Sequence, residues 1–311
     1  MEKRNKVITA GIVCALLAAL LSSFYVPVSS LLLSKGAAPM ILGGFDYLGG
    51  GVAAAVFFLI NFLRKKHNPA LKADPYLKGK DWLILSGQIV CTCGSTISVM
   101  FAIKNSSASS VSLLSNFELL CTSLIALIFF KEIIHVRSWI GIILIASGCI
   151  LLTLDFRNGV SFSWASLLAF AACLFWGIDN NLGRLLSMKN KEEAITIKAL
   201  SSGTIMVVMA FITGERIESS AVFFGLLLGV VSIGLSLLFY MRGQEVLGAA
   251  KTSAFYALSP FLGSILSILI LQEVPLWSFY ISLGVVLFGQ SQVVIDLFKQ
   301  QKLINSAKPK P

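Results

Sequence analysis

Three carboxylates, Asp46, Glu118 and Asp179, lie inside long apolar runs of the sequence. Glu118 is near the centre of the run 108–130, next to Asn116. A charged group at this depth is costly to bury and is a functional candidate by default. We expect Glu118 to gain and lose a proton near neutral pH, with Asn116 in the same site. The alternative is a permanently protonated Glu118 that hydrogen bonds to a neighbouring helix.

Asp46 lies in the stretch 43–51 (GGFDYLGGG), which contains five glycines. Glycines let neighbouring backbones approach closely, or let a helix bend beside a cavity. Asp46 could therefore meet a substrate amine or guard the outer entrance of a pathway. The alternative is a hydrogen bond from Asp46 to a packed partner helix.

One apolar run contains three consecutive polar residues, Asp179-Asn180-Asn181. Successive residues of an α-helix point about 100° apart, so these side chains cannot share one face. Lys198 enters the next apolar run at a depth compatible with Asp179. This spacing predicts a buried ion pair between Asp179 and Lys198, or a substrate contact in which Asn180 supplies donors and acceptors.

Several larger side chains combine a polar tip with an apolar body. Gln88, Tyr25, Tyr47 and Tyr256 could line a central cavity, or could simply pack in the interior. Together with Trp176, they complete the predicted substrate or proton pathway.

The composition places the chain in a membrane. Hydrophobic residues make up 56% of it and charged residues 13%, against roughly 45–50% and about 25% in soluble domains. A single soluble core of 311 residues cannot bury so much apolar surface, so the excess has to face lipid. The cysteines are predicted to be buried small side chains and the histidines fall in loops, so we expect no metal and no cofactor. The sequence contains no G-x-x-x-x-G-K-[ST] motif, so ATP is not expected to drive the protein.

Apolar runs of roughly 20 residues predict transmembrane helices. The fold class is therefore an all-α integral membrane protein with ten spans at 8–33, 38–62, 82–103, 108–130, 136–154, 164–187, 194–213, 221–241, 249–271 and 276–297.

The Lys and Arg residues indicate the orientation, because cytoplasmic loops carry an excess of them. With alternating spans, all except Lys35, Lys104, Arg157 and Arg216 fall on the side that holds both termini. This distribution accounts for the net charge of +10 without a nucleic-acid partner. We predict a multi-pass plasma-membrane protein with cytoplasmic N- and C-termini, present as a monomer or homodimer.

The segment 105–154 recurs later in the chain at a sequence offset of 141. The spacing from Glu118 to Glu132 is the same as the spacing from Ser259 to Glu273, which predicts an internal duplication. A unit of five spans crosses the membrane an odd number of times. The second unit therefore enters from the opposite side, and the halves are inverted repeats. We place the first five-helix repeat at 1–155, the second at 156–298 and a cytoplasmic tail at 299–311.

Two further details belong to the repeats. An offset of 154 sets Ser22-Ser23 against Trp176-Gly177 in the first span of each unit. Glu132 and Glu273 follow the corners between spans, where a carboxylate near a helix N-terminus is stabilising. We expect both glutamates to be structural features at the start of the helices that follow them.

The sequence resembles the ten-span EamA type of the drug/metabolite transporter superfamily. The likeness rests on the paired corners Lys131-Glu132 and Gln272-Glu273. Each corner follows, at one common spacing, a position at which the family usually has Glu-Pro or a bare Pro. In this sequence those positions hold Glu118 and Ser259-Pro260. Trp176-Gly177 also resembles a Trp-Gly pair that is common in a unit's first span. The resemblance implies a membrane transporter that exports amino acids, drugs or other metabolites.

These features predict a secondary transporter, not an enzyme, that moves an amino acid or similar metabolite by alternating access. Export follows only from the resemblance, and proton coupling would run through Glu118. One alternative is a flippase for a lipid-linked substrate, which would use the same fold. An intramembrane enzyme is disfavoured because the spans contain no histidine and their acids lie at different depths. A third alternative is an assembly or receptor protein without a transport cycle.

Overall fold

The computed structural model describes residues 2–67, 75–131, 134–155, 161–186 and 189–307. A 3₁₀ turn (Ser115–Phe117) joins α5 (Ala108–Leu114) to α6 (Glu118–Phe130). A π-helix (Gly229–Leu235) joins α10 (Ser219–Leu228) to α11 (Ser236–Leu247). Two short strands, β1 (Leu154–Asp155) and β2 (Ser161–Phe162), pair antiparallel. The α-helices are α1 (Glu2–Ser23), α2 (Tyr25–Ser34), α3 (Pro39–His67), α4 (Asp81–Asn105), α5 (Ala108–Leu114), α6 (Glu118–Phe130), α7 (Val136–Thr153), α8 (Trp164–Leu185), α9 (Lys191–Ile212), α10 (Ser219–Leu228), α11 (Ser236–Leu247), α12 (Ala249–Tyr256), α13 (Ser259–Leu271) and α14 (Trp277–Ala307).

Ten segments of the described chain are long and apolar enough to cross a membrane, which confirms the predicted number. Spans 1, 4, 8 and 9 each combine two helices (α1–α2, α5–α6, α10–α11 and α12–α13), and the other spans are single helices. Because ten spans alternate in direction, span 1 begins and span 10 ends at the same side, named here the termini face. Spans 1 to 10 are Val7–Ser34, Pro39–Arg64, Asp81–Asn105, Ala108–Phe130, Val136–Thr153, Trp164–Leu185, Lys191–Ile212, Ser219–Leu247, Lys251–Leu271 and Trp277–Asp296.

The outer surface of the bundle is apolar. Leu83, Phe129 and Ile212 are 77%, 76% and 80% exposed, although side chains of this kind are normally buried in soluble proteins. Many other large hydrophobic side chains on the spans are exposed in the same way. Lipid is the solvent that such a surface fits, so the chain is an integral multi-pass membrane protein.

Spans 5 and 10 pack on each other in a reciprocal pattern. A Cβ atom built on Gly141 would lie 2.5 Å from the backbone oxygen of Gly289, and one built on Gly148 would lie 3.2 Å from that of Ser282. Under the offset of 141, Gly141 corresponds to Ser282 and Gly148 to Gly289, so each contact is the image of the other. Reciprocal contacts are the signature of a two-fold axis. The halves are two inverted five-helix repeats, as predicted.

A second pair of contacts follows the same symmetry. A Cβ atom on Gly177 in span 6 would lie 2.9 Å from the backbone nitrogen of Thr122 in span 4. A Cβ atom on Gly263 in span 9 would lie 3.3 Å from the backbone oxygen of Ser23 in span 1. Gly263 is the counterpart of Thr122 at the offset of 141, and Ser23 is the counterpart of Gly177 at the offset of 154. Both offsets found in the sequence therefore correspond to equivalent packing.

Spans 4 and 9 are interrupted at equivalent points near their centres. In span 4, Nδ2 of Asn116 donates to the backbone oxygen of Leu113 at 2.8 Å, a local bond that competes with regular helix. In span 9, α12 ends at Tyr256 and α13 begins at Ser259, beside Pro260, which has no N–H to continue the helix. Irregular backbone at this depth is stable only where it faces protein or a water-filled cavity.

The corners after spans 4 and 9 share one backbone conformation. Lys131 and Gln272 end α6 and α13 in the left-handed region, with φ of 53° and 52°. Glu273 follows, and its Oε1 and Oε2 accept hydrogen bonds from the backbone nitrogens of Ala108 at 2.7 Å and Ser109 at 3.0 Å. Glu273 therefore caps α5 of the other repeat, which corrects the expectation that it begins its own following helix. Glu132, the counterpart of Glu273, lies outside the described residues.

The glycine-rich stretch of span 2 serves close packing. α3 runs through it as one continuous helix. A Cβ atom on Gly44 would lie 3.1 Å from the backbone oxygen of Gly203 in span 7, and one on Gly50 would lie 3.4 Å from that of Gly229 in span 8. Of the two uses expected for these glycines, the structure shows close approach of backbones and no break of the helix.

The two-fold symmetry is broken at the centre of the bundle. α5 packs against α13 at the face opposite the termini, where Oγ of Ser112 donates to the oxygen of Pro260 at 3.1 Å and Oγ of Ser264 donates to that of Ser109 at 3.0 Å. The equivalent pair at the termini face is α12 and α6. Among the described residues, these two helices make no comparable contact. α5 and α13 are therefore packed together at the opposite face, whereas α6 and α12 lack the equivalent packing at the termini face.

Candidate functional site

Glu118 begins α6 directly after the 3₁₀ turn of span 4, and its carboxylate reaches span 6. Nδ2 of Asn180 donates a hydrogen bond to Oε1 of Glu118 at 2.6 Å and lies 3.5 Å from the hydroxyl of Thr122. Glu118 is half-buried and Asn180 is exposed, although both belong to membrane spans. The pair lies on α6 and α8, in the half of the bundle where α12 stands away.

Lys198 and Asp179 form the ion pair that their spacing predicted. Nζ of Lys198 in span 7 lies 2.8 Å from Oδ2 of Asp179 in span 6. Nε2 of Gln88 in span 3 donates to the backbone oxygen of Asp179 at 3.2 Å. Because Lys198 neutralises the charge of Asp179, Glu118 is the carboxylate of this cluster that has no cationic partner among the described residues.

The side-chain amides of Asn181 and Asn116 donate hydrogen bonds to backbone oxygens and do not reach Glu118. Nδ2 of Asn181 donates to the oxygen of Gly177 at 2.8 Å and to that of Thr122 at 3.1 Å, so it ties span 6 to span 4. Asn116 is buried, and its amide turns back to Leu113 in its own span. The amide of Asn116 thus stabilises the break that places Glu118 at the start of α6.

A second polar group lies between spans 1, 8 and 9. Oη of Tyr256 donates to Oγ of Ser22 at 2.9 Å, and Tyr240 shares a hydrogen bond of 2.8 Å with Ser253. The rings of Tyr256 and Tyr240 meet edge to face, with centroids 5.0 Å apart. Tyr256 is close enough to Glu118 for the two groups to interact electrostatically. The structure therefore brings Tyr256 toward Glu118 from the second repeat.

Sequence reasoning missed Thr122, Ser22, Tyr240 and Ser253 of these groups, although the sequence carried signals for the first two. Thr122 lies one turn after Glu118 on the same side of α6 and meets Asn180. Ser22 occupies the position of Trp176 in the first repeat, under the offset of 154. Trp176 itself is half-buried and packs against the largest apolar cluster.

Asp46 lies apart from Glu118 and is fully buried. Neither of its carboxylate oxygens has a hydrogen-bond partner in the described part of the chain. Tyr25 in span 1 and Tyr47 in span 2 lie within electrostatic range of Asp46, and Tyr47 is also within range of Asp179. The predicted residues Tyr25, Tyr47 and Asp46 are thus brought together, without a hydrogen bond to the carboxylate.

A buried carboxylate at the end of span 10 was not predicted. Asp296 is 6% exposed, and Oγ of Ser138 in span 5 donates to its Oδ2 at 2.7 Å. Beside it, Nε and Nη2 of Arg137 donate to Oε1 of Gln292 at 3.1 and 3.0 Å. These bonds join spans 5 and 10 and support the packing of the two repeats.

Ten spans in inverted repeats, with polar groups gathered between the inner helices, define an α-helical membrane protein with the architecture of a secondary transporter. The profile of the EamA-like transporter family matches residues 9–154 and 163–294. The chain belongs to this family, and so to the drug/metabolite transporter superfamily that its corners resemble.

Similar proteins agree with this assignment. The chain is 27% identical over 251 residues to an uncharacterized transporter of Methanothermobacter thermautotrophicus, covering 76% of this chain and 72% of that protein. A crystal structure of another protein is similar with a TM-score of 0.65 at 16% identity, covering 94% of this chain and 99% of the other. The second likeness supports the fold alone.

Proposed function

We propose that this protein is a secondary transporter that exports an amino acid or a similar small metabolite across the plasma membrane by alternating access. One observation carries the proposal. The accessible pair Glu118–Asn180 lies where α12 stands away from α6, while α5 and α13 close the other half of the bundle. Alternating access requires a site that opens to one side while it is closed to the other.

The inverted repeats supply a route between two such states. Exchange of the packing of α5 on α13 for an equivalent packing of α12 on α6 would close the termini face and open the opposite one. The distribution of Lys and Arg supports a cytoplasmic termini face, so in this proposal the present state is open to the cytoplasm. In this proposal the moving units are 1–155 and 156–298, and 299–311 is a cytoplasmic tail.

The chemistry of the site supports a zwitterionic substrate. The uncompensated carboxylate of Glu118 is an acceptor for an ammonium group, and Asn180 adds a neutral amide beside it. The hydroxyl of Tyr256 in the second repeat and that of Ser22 in the first repeat lie in the neighbouring polar group and would supply donors for a carboxylate. The closed ion pair Asp179–Lys198 fixes spans 6 and 7 without adding net charge.

Glu118 is also the proposed proton carrier. In its ionised form it accepts the hydrogen bond from Asn180, and on protonation it loses the charge that would hold an amine. Proton binding and substrate binding at one carboxylate couple the two equilibria. No catalytic step and no cofactor enter the proposal, and a small-molecule substrate and the bilayer are its partners.

The substrate is sought through ligand-dependent thermal stability of the purified protein, with amino acids, nucleosides, sugars and polyamines at an acidic and a near-neutral pH. A ligand at tenfold its dissociation constant adds about 1.4 kcal/mol to the free energy of unfolding. We expect stabilisation by amino acids that depends on pH. Stabilisation only by lipid-linked compounds in nanodiscs would replace the proposal with a flippase.

Proton coupling is tested in proteoliposomes with an imposed pH gradient and the ligand found by the screen. We expect Glu118→Gln to abolish gradient-driven accumulation. Because it also removes the charge that would hold an amine, exchange of labelled for unlabelled substrate should persist only at raised substrate concentration. The matched control is Glu245→Gln, which removes an exposed carboxylate paired with Arg242. Full gradient-driven transport in Glu118→Gln would show that the coupling assignment is wrong.

A further inference from the structure

Asp46 has a carboxyl group that is fully enclosed in the described interior and lacks a partner there. Its residue exposure is 0%, and neither Oδ1 nor Oδ2 has a hydrogen-bond partner among the described residues. It differs in this from Glu118, Asp179 and Asp296, each of which has a bonded partner.

No cation faces Asp46 from the helices packed around it, within the part of the chain that the structure describes. Span 1 contributes the phenol of Tyr25, and span 2 contributes Tyr47. Span 3 places Cys93 beside Tyr47. Span 7 contacts span 2 through Gly203, and span 8 presents glycines, so neither adds a titratable group at this point.

Burial without a partner disfavours the ionised carboxylate strongly. An isolated charge in a low-dielectric interior is removed by taking up a proton unless a cation or a set of donors compensates it. The described residues around Asp46 provide neither. The neutral acid is therefore the form that this packing accommodates.

The segment of span 8 packed against Asp46 contains a π-helix. A Cβ atom built on Gly229 would overlap the backbone oxygen of Asp46, and one on Gly225 would lie 3.5 Å from Oδ1. Gly229 begins the π-helix of span 8, whereas its equivalent, span 3, is a continuous α-helix. π-Helical turns within α-helices occur frequently at functional sites.

We propose that Asp46 is a second proton-binding site, separate from Glu118, which holds its proton while spans 2 and 8 are packed and exchanges it only when they separate. Asp46 is near the start of span 2, in the half of the bundle that is closed in this structure. Opening of the face opposite the termini would bring its carboxylate to solvent. The exchange step rests on the alternating-access cycle proposed above, whereas the bound proton does not.

The bound proton is tested by infrared spectroscopy of the purified protein at neutral pH. We expect a carbonyl-stretch band of a protonated carboxylic acid that shifts when aspartate is labelled with ¹³C. The band should be absent in Asp46→Asn and present in Asp296→Asn, which removes another buried aspartate. It should also persist in Glu118→Gln, so that failure of the Glu118 assignment and failure of this one are distinguishable.

Two results would overturn the bound proton. One is the absence of a ¹³C-aspartate acid band in Asp296→Asn, a measurement that holds even if Asp46→Asn does not fold. The other is stabilisation of the native protein by Na⁺ that is lost in Asp46→Asn, since this would make a metal cation the occupant.

The exchange step is tested by wedging spans 2 and 8 apart. Gly225→Ala and the more severe Gly229→Ala add a methyl group at the contact with Asp46, whereas Gly284→Ala adds one where no atom lies within 4 Å. We expect the aspartic acid band to disappear at neutral pH in the wedged variants and to remain in Gly284→Ala. A band that is unchanged in a folded Gly225→Ala or Gly229→Ala protein would overturn the exchange step and leave the bound proton standing.

Discussion

Asn180 donates a 2.6 Å hydrogen bond to Glu118, while its neighbour in the chain, Asp179, is joined to Lys198. Two adjacent residues of span 6 thus hold spans 4 and 7 with different chemistry. The contact between Asp179 and Lys198 is an ion pair, in which the two charges neutralise each other. The Glu118 contact uses a neutral amide, so the carboxylate keeps its capacity to bind a proton or a cationic group.

Removal of the Asn180 amide should move the pH dependence of transport. A hydrogen bond to a charged group contributes roughly 1.5–3 kcal/mol, and Nδ2 of Asn180 stabilises the ionised form of Glu118. Without it, Glu118 keeps its proton to higher pH. We expect the transport profile of Asn180→Leu to move upward by about one to two pH units.

The control for this variant is Asn105→Leu, since the exposed amide of Asn105 bonds only to its own helix. Transport rates across the pH range in proteoliposomes provide the measurement. A profile of Asn180→Leu that coincides with that of the native protein would show that Asn180 does not tune Glu118.

Loss of one partner of the Asp179–Lys198 pair should destabilise the fold. Lys198→Ala leaves Asp179 with an uncompensated charge. Breaking a fully buried pair costs about 3–5 kcal/mol, and this pair, with side chains 21% and 13% exposed, should fall toward the lower end of that range. The double variant Asp179→Asn with Lys198→Gln removes both charges and should recover most of the loss. Thermal unfolding in one detergent compares these variants with Arg242→Ala, which breaks an exposed pair worth at most about 1 kcal/mol. Equal effects of Lys198→Ala and Arg242→Ala would contradict the assignment.

Glu273 should contribute to stability through α5 in the other repeat. Glu273→Ala removes both acceptors from the backbone nitrogens of Ala108 and Ser109, and loss of such a cap costs about 0.5–2 kcal/mol. Glu218→Ala is the matched control, because Glu218 precedes α10 without capping it through its side chain. Hydrogen exchange should show faster exchange of the amides of α5 in Glu273→Ala alone. Unchanged protection of α5 would mean that the cap is unimportant.

The left-handed corner at Gln272 should prefer glycine. A non-glycine residue in this conformation is disfavoured by roughly 1–2 kcal/mol, and a β-branched side chain fits it worst. We expect Gln272→Gly to raise the melting temperature slightly and Gln272→Val to lower it. The reverse order in thermal unfolding would indicate that the side chain of Gln272 makes a contact that outweighs the backbone term.

The spans and the repeats could be predicted from the sequence because their signals are local or periodic. Runs of apolar residues define the spans, and the sequence offset of 141 anticipates the packing of Gly141 and Gly148 on the second repeat. The ion pair could also be predicted, since Asp179 and Lys198 lie in adjacent spans at similar depths from the same side of the membrane.

Three features could not be read in this way, each for a physical reason. The cap of α5 by Glu273 joins residues of different repeats, so sequence proximity points to the wrong helix. The separation of α12 from α6 breaks a symmetry that the duplication implies, and the proposed transport cycle requires one sequence to encode both arrangements. Asp296 falls at the end of its span, where the sequence suggests a carboxylate exposed to water. In the structure it is buried and accepts a hydrogen bond from Ser138 of the other repeat.

The corners at Lys131 and Gln272 have the same backbone at opposite faces of the bundle, but only one of them carries a positive charge. The duplication has therefore kept the shape of the corner and let its charge diverge. Rotation about the two-fold axis places the backbone of one corner on that of the other, but it places the charged Lys131 on the neutral Gln272. The two end states of the proposed exchange would be alike in geometry and unequal in energy, so the molecule would have a preferred resting side.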